Sequence, residues 1–250
     1  MPRAFQLRNL KLKRIETEAM KRELNLRDLG TIEGVPKGIY LRSGKLSMLG
    51  RKTCARLCRQ YDIKCVIDLR SDVEAAEYPD PLPDGVEYLR IPLLKDATIG
   101  ISRETGSDPM RIVRNLRKHP EQLREMVPDF KMLYRHAVTD DYSLGQLRHA
   151  VATLRANAEA GRCTLFHCNA GKDRTGLVTM ALLKSYGIAD DIILDDFMRS
   201  NRNILWPTLK KCIAVFLLTQ RWELVHAAYH LLMADRELMI IALENYRQEG

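Results

Sequence analysis

Cysteine, glycine and arginine stand at fixed spacing in the run His167-Cys168-Asn169-Ala170-Gly171-Lys172-Asp173-Arg174-Thr175-Gly176. Before it, Thr164-Leu165-Phe166 reads as a short buried strand; after it, Leu177–Tyr186 is apolar with a helical period. A loop wrapped at a helix N-terminus aims several backbone N–H groups at one point, and the helix dipole adds partial positive charge, so an anion such as a phosphoryl group is held there. Cys168 lies at the floor of that cradle, where the same field stabilises the nucleophilic thiolate. Arg174, six residues on, can reach back across the loop and bind two phosphoryl oxygens with its planar fork, which lysine cannot do. The amides from Asn169 through Ala170, Gly171, Lys172 and Asp173 to Arg174 line the cradle. Gly171 allows a sharp turn, and the Thr175 hydroxyl is placed to bond the thiolate or to assist it as a leaving group. The chemistry this arrangement fits is displacement at phosphorus by sulfur.

A lone cysteine at a strand end is ordinarily an inert buried thiol. Glycine and arginine at this spacing, flanked by histidine and threonine at a strand-to-helix turn, select the reactive reading. A magnesium-dependent nucleotide loop is excluded, because Asp173 follows Lys172 where Ser or Thr is needed and Phe166 stands at the first glycine position. No metal and no cofactor are implied.

Four short β-rich segments position this loop: Gly38–Ser43, Lys64–Arg70, Val86–Pro92 and Cys163–Cys168. Cys65-Val66-Ile67 and Thr164-Leu165-Phe166 read as buried central strands. Helical periodicity marks Ser47–Tyr61, Arg111–Tyr134, Leu144–Ala160 and nearly everything from Asp190 onward. Alternation of strand and helix predicts an α/β fold with a covered, mostly parallel sheet and a helical C-terminal part. Prolines 79, 81 and 83 with Gly85 form a turn-rich connection in which Asp80 and Asp84 read as turn residues. A polar loop follows, and residues of about 103–143 read as a helical insertion over one face, a candidate lid. With 250 residues, 46% of them hydrophobic, the expected organisation is a basic N-terminal segment, 1–24, and one domain, 25–250.

No apolar run approaches the roughly 20 residues of a membrane-spanning helix, and the opening lacks the pattern of a secretory signal. Six scattered cysteines read as reduced thiols, and the expected location is the cytoplasm. The net charge of +8 fits nucleic acid, acidic membrane lipid or a phosphorylated substrate and selects none of them by itself; the expected partner is a phosphorylated protein or phosphoinositide, not nucleic acid. The basic, Leu-bearing stretch Arg3–Arg27 is a candidate for peripheral membrane contact, with a packed or solvated helix the commoner outcome. His226 and His230, four apart, lack the glutamate of a zinc-protease motif and a third ligand, and read as ordinary helix residues.

The segment His-Cys-x5-Arg-Thr-Gly resembles the signature loop of the protein tyrosine phosphatase superfamily. Its form Cys-x-x-Gly-Lys-Asp-Arg-Thr-Gly is similar to the bacterial branch with broad tyrosine, dual and phosphoinositide specificity. Asn25-Leu26-Arg27-Asp28-Leu29-Gly30, Tyr40-Leu41-Arg42-Ser43-Gly44-Lys45-Leu46, Asp68-Leu69-Arg70 with Glu74, and Arg199-Ser200-Asn201 extend the resemblance over roughly residues 25–205. Leu26 stands where an aromatic is usual, and Thr31 where a second glycine is common. The resemblance implies a phosphatase fold and hydrolysis of phosphotyrosine, with phosphoserine and phosphothreonine as further protein substrates, through a phosphocysteine. It also implies a general acid after the strand ending at Pro92, which is Asp96, while Asp173 in the loop itself competes. Asp68 and Arg70 are expected to buttress the loop. Lys172 either serves a second phosphate, as in a phosphoinositide, or pairs with Asp173. The rival readings are a phosphoinositide or inositol-phosphate phosphatase, a silent phosphate-binding module and a sulfurtransferase.

Overall fold

The structure, a computed structural model, describes residues 20–94 and 129–247. Five strands form one sheet in the order β1-β2-β5-β3-β4: β1 Arg27–Asp28, β2 Tyr40–Ser43, β3 Ile63–Asp68, β4 Glu87–Arg90 and β5 Cys163–His167. Only β1 runs antiparallel to its neighbour. The expected α/β architecture is present, with each strand shorter than its sequence segment.

Successive side chains of a strand point to opposite faces, so a sheet covered on both sides needs apolar residues at every position. Cys163 and Leu165 of β5 join the smaller core cluster, whereas Phe166 joins the larger. In β3, Ile63 faces the smaller cluster and Cys65 the larger, because an irregularity at the exposed Lys64 inverts the alternation. Helix α1, Arg51–Gln60, covers the smaller cluster with Cys54, Leu57 and Cys58. It starts four residues later than the apolar pattern, since Leu46–Met48 is a separate 3-10 turn and Gly50 caps the helix.

The other face carries α3, Phe130–Thr139, α4, Asp141–Glu159, and α5, Asp173–Ser185. The short α2, Asp72–Glu77, follows β3. Residues 103–128 of the expected insertion lie outside the described residues, as do Asp96 and residues 1–19. The described remainder is part of the core rather than a cover over it: Tyr134, Ala137 and Val138 of α3 are each no more than 1% exposed. The chain closes with α6, Asp190–Thr219, which contains Pro207, then α7, Trp222–Leu232, and α8, Arg236–Asn245. Met239 and Ala242 of α8 complete the larger cluster. No helix among the described residues is long and apolar enough to cross a membrane.

Candidate active site

β5 ends at His167 and α5 begins at Asp173, which leaves Cys168 to Lys172 as a five-residue loop and puts Arg174 and Thr175 in the first turn of the helix. Cys168 is 3% exposed. The loop is possible because of two glycines. Gly171 has φ +64, and a Cβ there would sit 2.4 Å from the Ser43 carbonyl carbon; a Cβ on Gly44 would meet the Asn169 carbonyl oxygen at 3.0 Å. The loop and the end of β2 thus pack backbone against backbone, joined by Lys45 N–H donating to the Asn169 carbonyl at 3.1 Å.

Side chains then fix the Gly171 peptide. Its carbonyl accepts from Asn25 Nδ2 at 2.8 Å and from Arg42 Nη2 at 3.0 Å. Asn25 is itself held, its Oδ1 accepting from Arg27 and Asn203. Asp196 on α6 ties the group together, accepting from Arg42 at 2.6 Å and from Arg27 through both carboxylate oxygens. Ser200 and Asn201 extend the tie: Ser200 Oγ accepts from Arg27, and the Asn201 amide exchanges two hydrogen bonds with the Ala234 backbone. Sequence reasoning recognised these segments as patterns and assigned Asn25, Arg42 and Asp196 no role. Asn25 and Arg42 meet the Gly171 carbonyl from 146 and 129 residues away, and Arg42 meets Asp196 across 154, beyond the reach of any local signal.

Arg174 is gripped by Glu74, whose two oxygens accept from its Nη1 at 2.5 Å and Nη2 at 2.9 Å. Glu74 also accepts from Asn169 Nδ2 and from the Ser71 backbone. The last bond belongs to a capping box with Ser71 at the start of α2. That box, a serine followed three residues later by glutamate, was the readable signal for Glu74. Arg174 and Arg42 both lie within electrostatic reach of Cys168. Burial and Arg27 push the Arg42 guanidinium down, to about 9, against the pull of Asp196.

Behind the loop, Arg70 forms a doubly bonded pair with Asp68, Nη2 to Oδ2 at 2.6 Å and Nε to Oδ1 at 2.9 Å, and reaches Asp80 Oδ2 at 2.6 Å. Tyr88 donates its hydroxyl to Asp68 at 2.8 Å. Leu69, between the pair, donates its N–H to the His167 carbonyl at 2.8 Å, which links this cluster to the residue preceding Cys168. The turn reading of Asp80 is corrected. Its side chain is 1% exposed, accepts from the Ser47 N–H at 2.7 Å and approaches His167 Nε2 at 3.1 Å, because the buried Arg70 needs a second carboxylate. Asp84 alone is a solvated turn residue. Asp68, Asp80 and His167 converge closely, but the Arg70 guanidinium already bonds both carboxylates and supplies the cation of this cluster.

On the opposite side, Asp173 accepts from the Tyr134 hydroxyl at 2.5 Å and forms an ion pair with Lys172 Nζ at 3.2 Å. Burial, then Asp173, push the Tyr134 phenol well above its ordinary range. Lys172 is 5% exposed, and its ammonium also donates to the carbonyls of Leu231 at 3.1 Å and Met233 at 2.9 Å. Two of the three ammonium hydrogens thus go to these carbonyls, and its charge is paired with Asp173. The Thr175 hydroxyl is buried without a hydrogen-bond partner. Cys163 faces the other core cluster from Cys168, and all six cysteines are free.

Burial pushes Asp68, Glu74 and Asp196 up, but the paired guanidiniums outweigh it and hold all three carboxyls below the ordinary carboxylate range. As pH falls, the unfolded chain therefore takes up protons before the folded one does. The stabilisation is complete above the unfolded values near 4 and is lost as pH falls through the lower folded values. We expect the melting temperature to drop progressively below about pH 4, and Asp196→Asn to shrink that drop. A melting temperature constant from about pH 5 to 3 contradicts the assignment.

The sequence is similar to those of known phosphatases. PtpB of Mycobacterium tuberculosis, a triple specificity protein phosphatase, is 34% identical over 215 residues, covering 80% of this chain and 73% of that one. A chain of Cupriavidus necator named as a tyrosine-protein phosphatase is 29% identical over 183 residues, 71% of this chain and 60% of that one. Among solved structures, P. aeruginosa TpbA overlaps 89% of this chain and 91% of its own at 14% identity, with a TM-score of 0.37. The model of the tyrosine phosphatase family matches residues 19–249, nearly the whole chain and every element that grips the Cys168 loop, so the chain belongs to that family of cysteine-dependent phosphatases.

Proposed function

We propose that the chain hydrolyses phosphotyrosine in proteins through Cys168. The observation that supports this reading best is the loop itself: a buried cysteine at a strand end, with Arg174 six residues later held in one orientation by Glu74. In the first step the Cys168 sulfur attacks phosphorus, the bond from phosphorus to the tyrosyl oxygen breaks, and a carboxylic acid gives that oxygen its proton. In the second, water attacks phosphorus, the same carboxylate takes the water's proton, and the sulfur–phosphorus bond breaks to release inorganic phosphate. Arg174 and the amides from Asn169 to Arg174 bind the equatorial oxygens as charge redistributes. The unpartnered Thr175 hydroxyl donates to the departing thiolate.

For the acid we favour Asp96, on the segment after β4. Asp173 has both oxygens engaged, by Tyr134 and Lys172, and joins the loop to α3 and, through Lys172, to the end of α7. The two are separated by leaving-group dependence. Loss of the acid slows poor leaving groups most, so Asp96→Asn is expected to cut kcat on phenyl phosphate about 10²-fold or more while sparing an activated nitrophenyl ester. Asp173→Asn is expected to slow both esters alike. The reverse pattern transfers the role to Asp173.

A lipid phosphatase is the second reading. A doubly phosphorylated headgroup needs a spare cation beside the loop, and among the described residues the Lys172 ammonium is already held by two carbonyls and paired with Asp173. This favours the singly phosphorylated tyrosine. With its cysteines unpaired, the enzyme fits a reducing compartment such as the cytoplasm.

A further inference from the structure

The second half of α6 is apolar on two opposite faces. Thr208, Cys212 and Thr219 are buried toward α7, whose Leu224 is buried with them. At about 100° per residue, Trp206, Ile213 and Leu217 point the other way, and they are 71%, 59% and 71% exposed. Trp222, at the start of α7, is 69% exposed and stacks near Phe216. A surface helix ordinarily carries polar residues on the side away from its neighbour. This hairpin instead presents Trp206, Ile213 and Leu217 in one stripe, with the exposed Lys210 among them, and a second exposed tryptophan, Trp222, at its turn. From Arg202 to Leu232 there are four basic residues, Arg202, Lys210, Lys211 and Arg221, against one carboxylate, Glu223.

We infer that this stripe is a docking surface for an anionic lipid bilayer. Tryptophan and aliphatic side chains flanked by lysine and arginine are the composition that enters the headgroup boundary, with the basic residues drawn to acidic lipid. A second copy of the chain is the poorer occupant, because a two-fold contact through this face brings Lys210 and its basic neighbours against their own images. The base of the hairpin is bonded to the catalytic loop through Lys172 and the carbonyls of Leu231 and Met233. Docking therefore sets the orientation of the loop relative to the bilayer, and substrates at or near a membrane surface are the ones it favours.

The test is flotation of the full chain with phosphatidylcholine vesicles, with and without phosphatidylserine and free of phosphoinositide. Wild type is expected to partition at least about tenfold more strongly onto the anionic vesicles, and less as salt rises. The exposed double variant Trp206→Ser/Leu217→Ser is expected to lose at least about tenfold in partitioning while hydrolysing a soluble aryl phosphate as wild type does. Cys168→Ser is expected to bind as wild type, so this result stands or falls apart from the phosphatase reading. Absence of vesicle binding by wild type, or binding unchanged in the double variant, overturns the inference. So does a solution dimer that the double variant dissolves with no vesicle binding, which assigns the face to a second copy.

Discussion

Cys168→Ser is expected to lower kcat on a phosphotyrosine peptide by about 10⁴-fold or more, leaving the fold intact. Serine is nearly isosteric, and the site around the residue is fixed by groups the substitution does not touch: the Gly171 carbonyl in the grip of Asn25 and Arg42, and Arg174 in that of Glu74. What is lost is the nucleophile. A thiol beside cations at a helix N-terminus ionises, whereas a hydroxyl in the same place stays protonated without a base. Inorganic phosphate or vanadate should still bind, because the cradle and Arg174 remain. A variant that turns over within about tenfold of wild type removes Cys168 from the mechanism.

Glu74→Ala is the second large effect. The Arg174 side chain is only 13% exposed, and its planar fork keeps one orientation because both Glu74 oxygens accept from it. Without Glu74 the guanidinium loses its only carboxylate partner among the described residues and is left to swing. Displacement of a positioning group by about 1 Å costs about 10²-fold in rate, and we expect kcat/KM to fall by that factor. Stability should fall too, by up to about 3 kcal/mol, since a buried cation is left unpaired. Glu74→Gln, which keeps an acceptor and the capping bond to Ser71, should recover part of both. Activity of Glu74→Ala within about twofold of wild type contradicts the positioning role.

The geometry of the Cys168 loop was legible in the sequence because its residues are contiguous. Cys168, Gly171 and Arg174 lie within seven residues, and a strand pattern and a helix pattern flank them on either side. The central strands were legible for a related reason: burial on both faces leaves runs such as Val66-Ile67 and Leu165-Phe166 with no polar residue. The locks on the loop were not legible. Asn25, Arg42 and Asp196 are polar residues on separate elements, and only folding shows that one glycine carbonyl and one aspartate gather them. Asp80 was misread because proline neighbours mark a turn correctly but say nothing about which way the side chain points. Lys172 could be read two ways from its position, since its choice depends on carbonyls near the end of α7, about sixty residues later. Of the expected insertion, residues 103–128 lie outside the described residues; in the described part, periodicity alone could not show that the apolar face of α3, with Tyr134 and Val138, joins the core.

The central claim is that phosphate passes through the Cys168 sulfur, and trapping that species tests it most directly. Wild type mixed with an aryl phosphate, quenched in acid within a turnover and digested, is expected to carry a phosphoryl group on the peptide containing Cys168, with none on the Cys168→Ser enzyme. Turnover by wild type with no phosphoryl group on that peptide at any quench time, or with the group on another residue, would contradict the account.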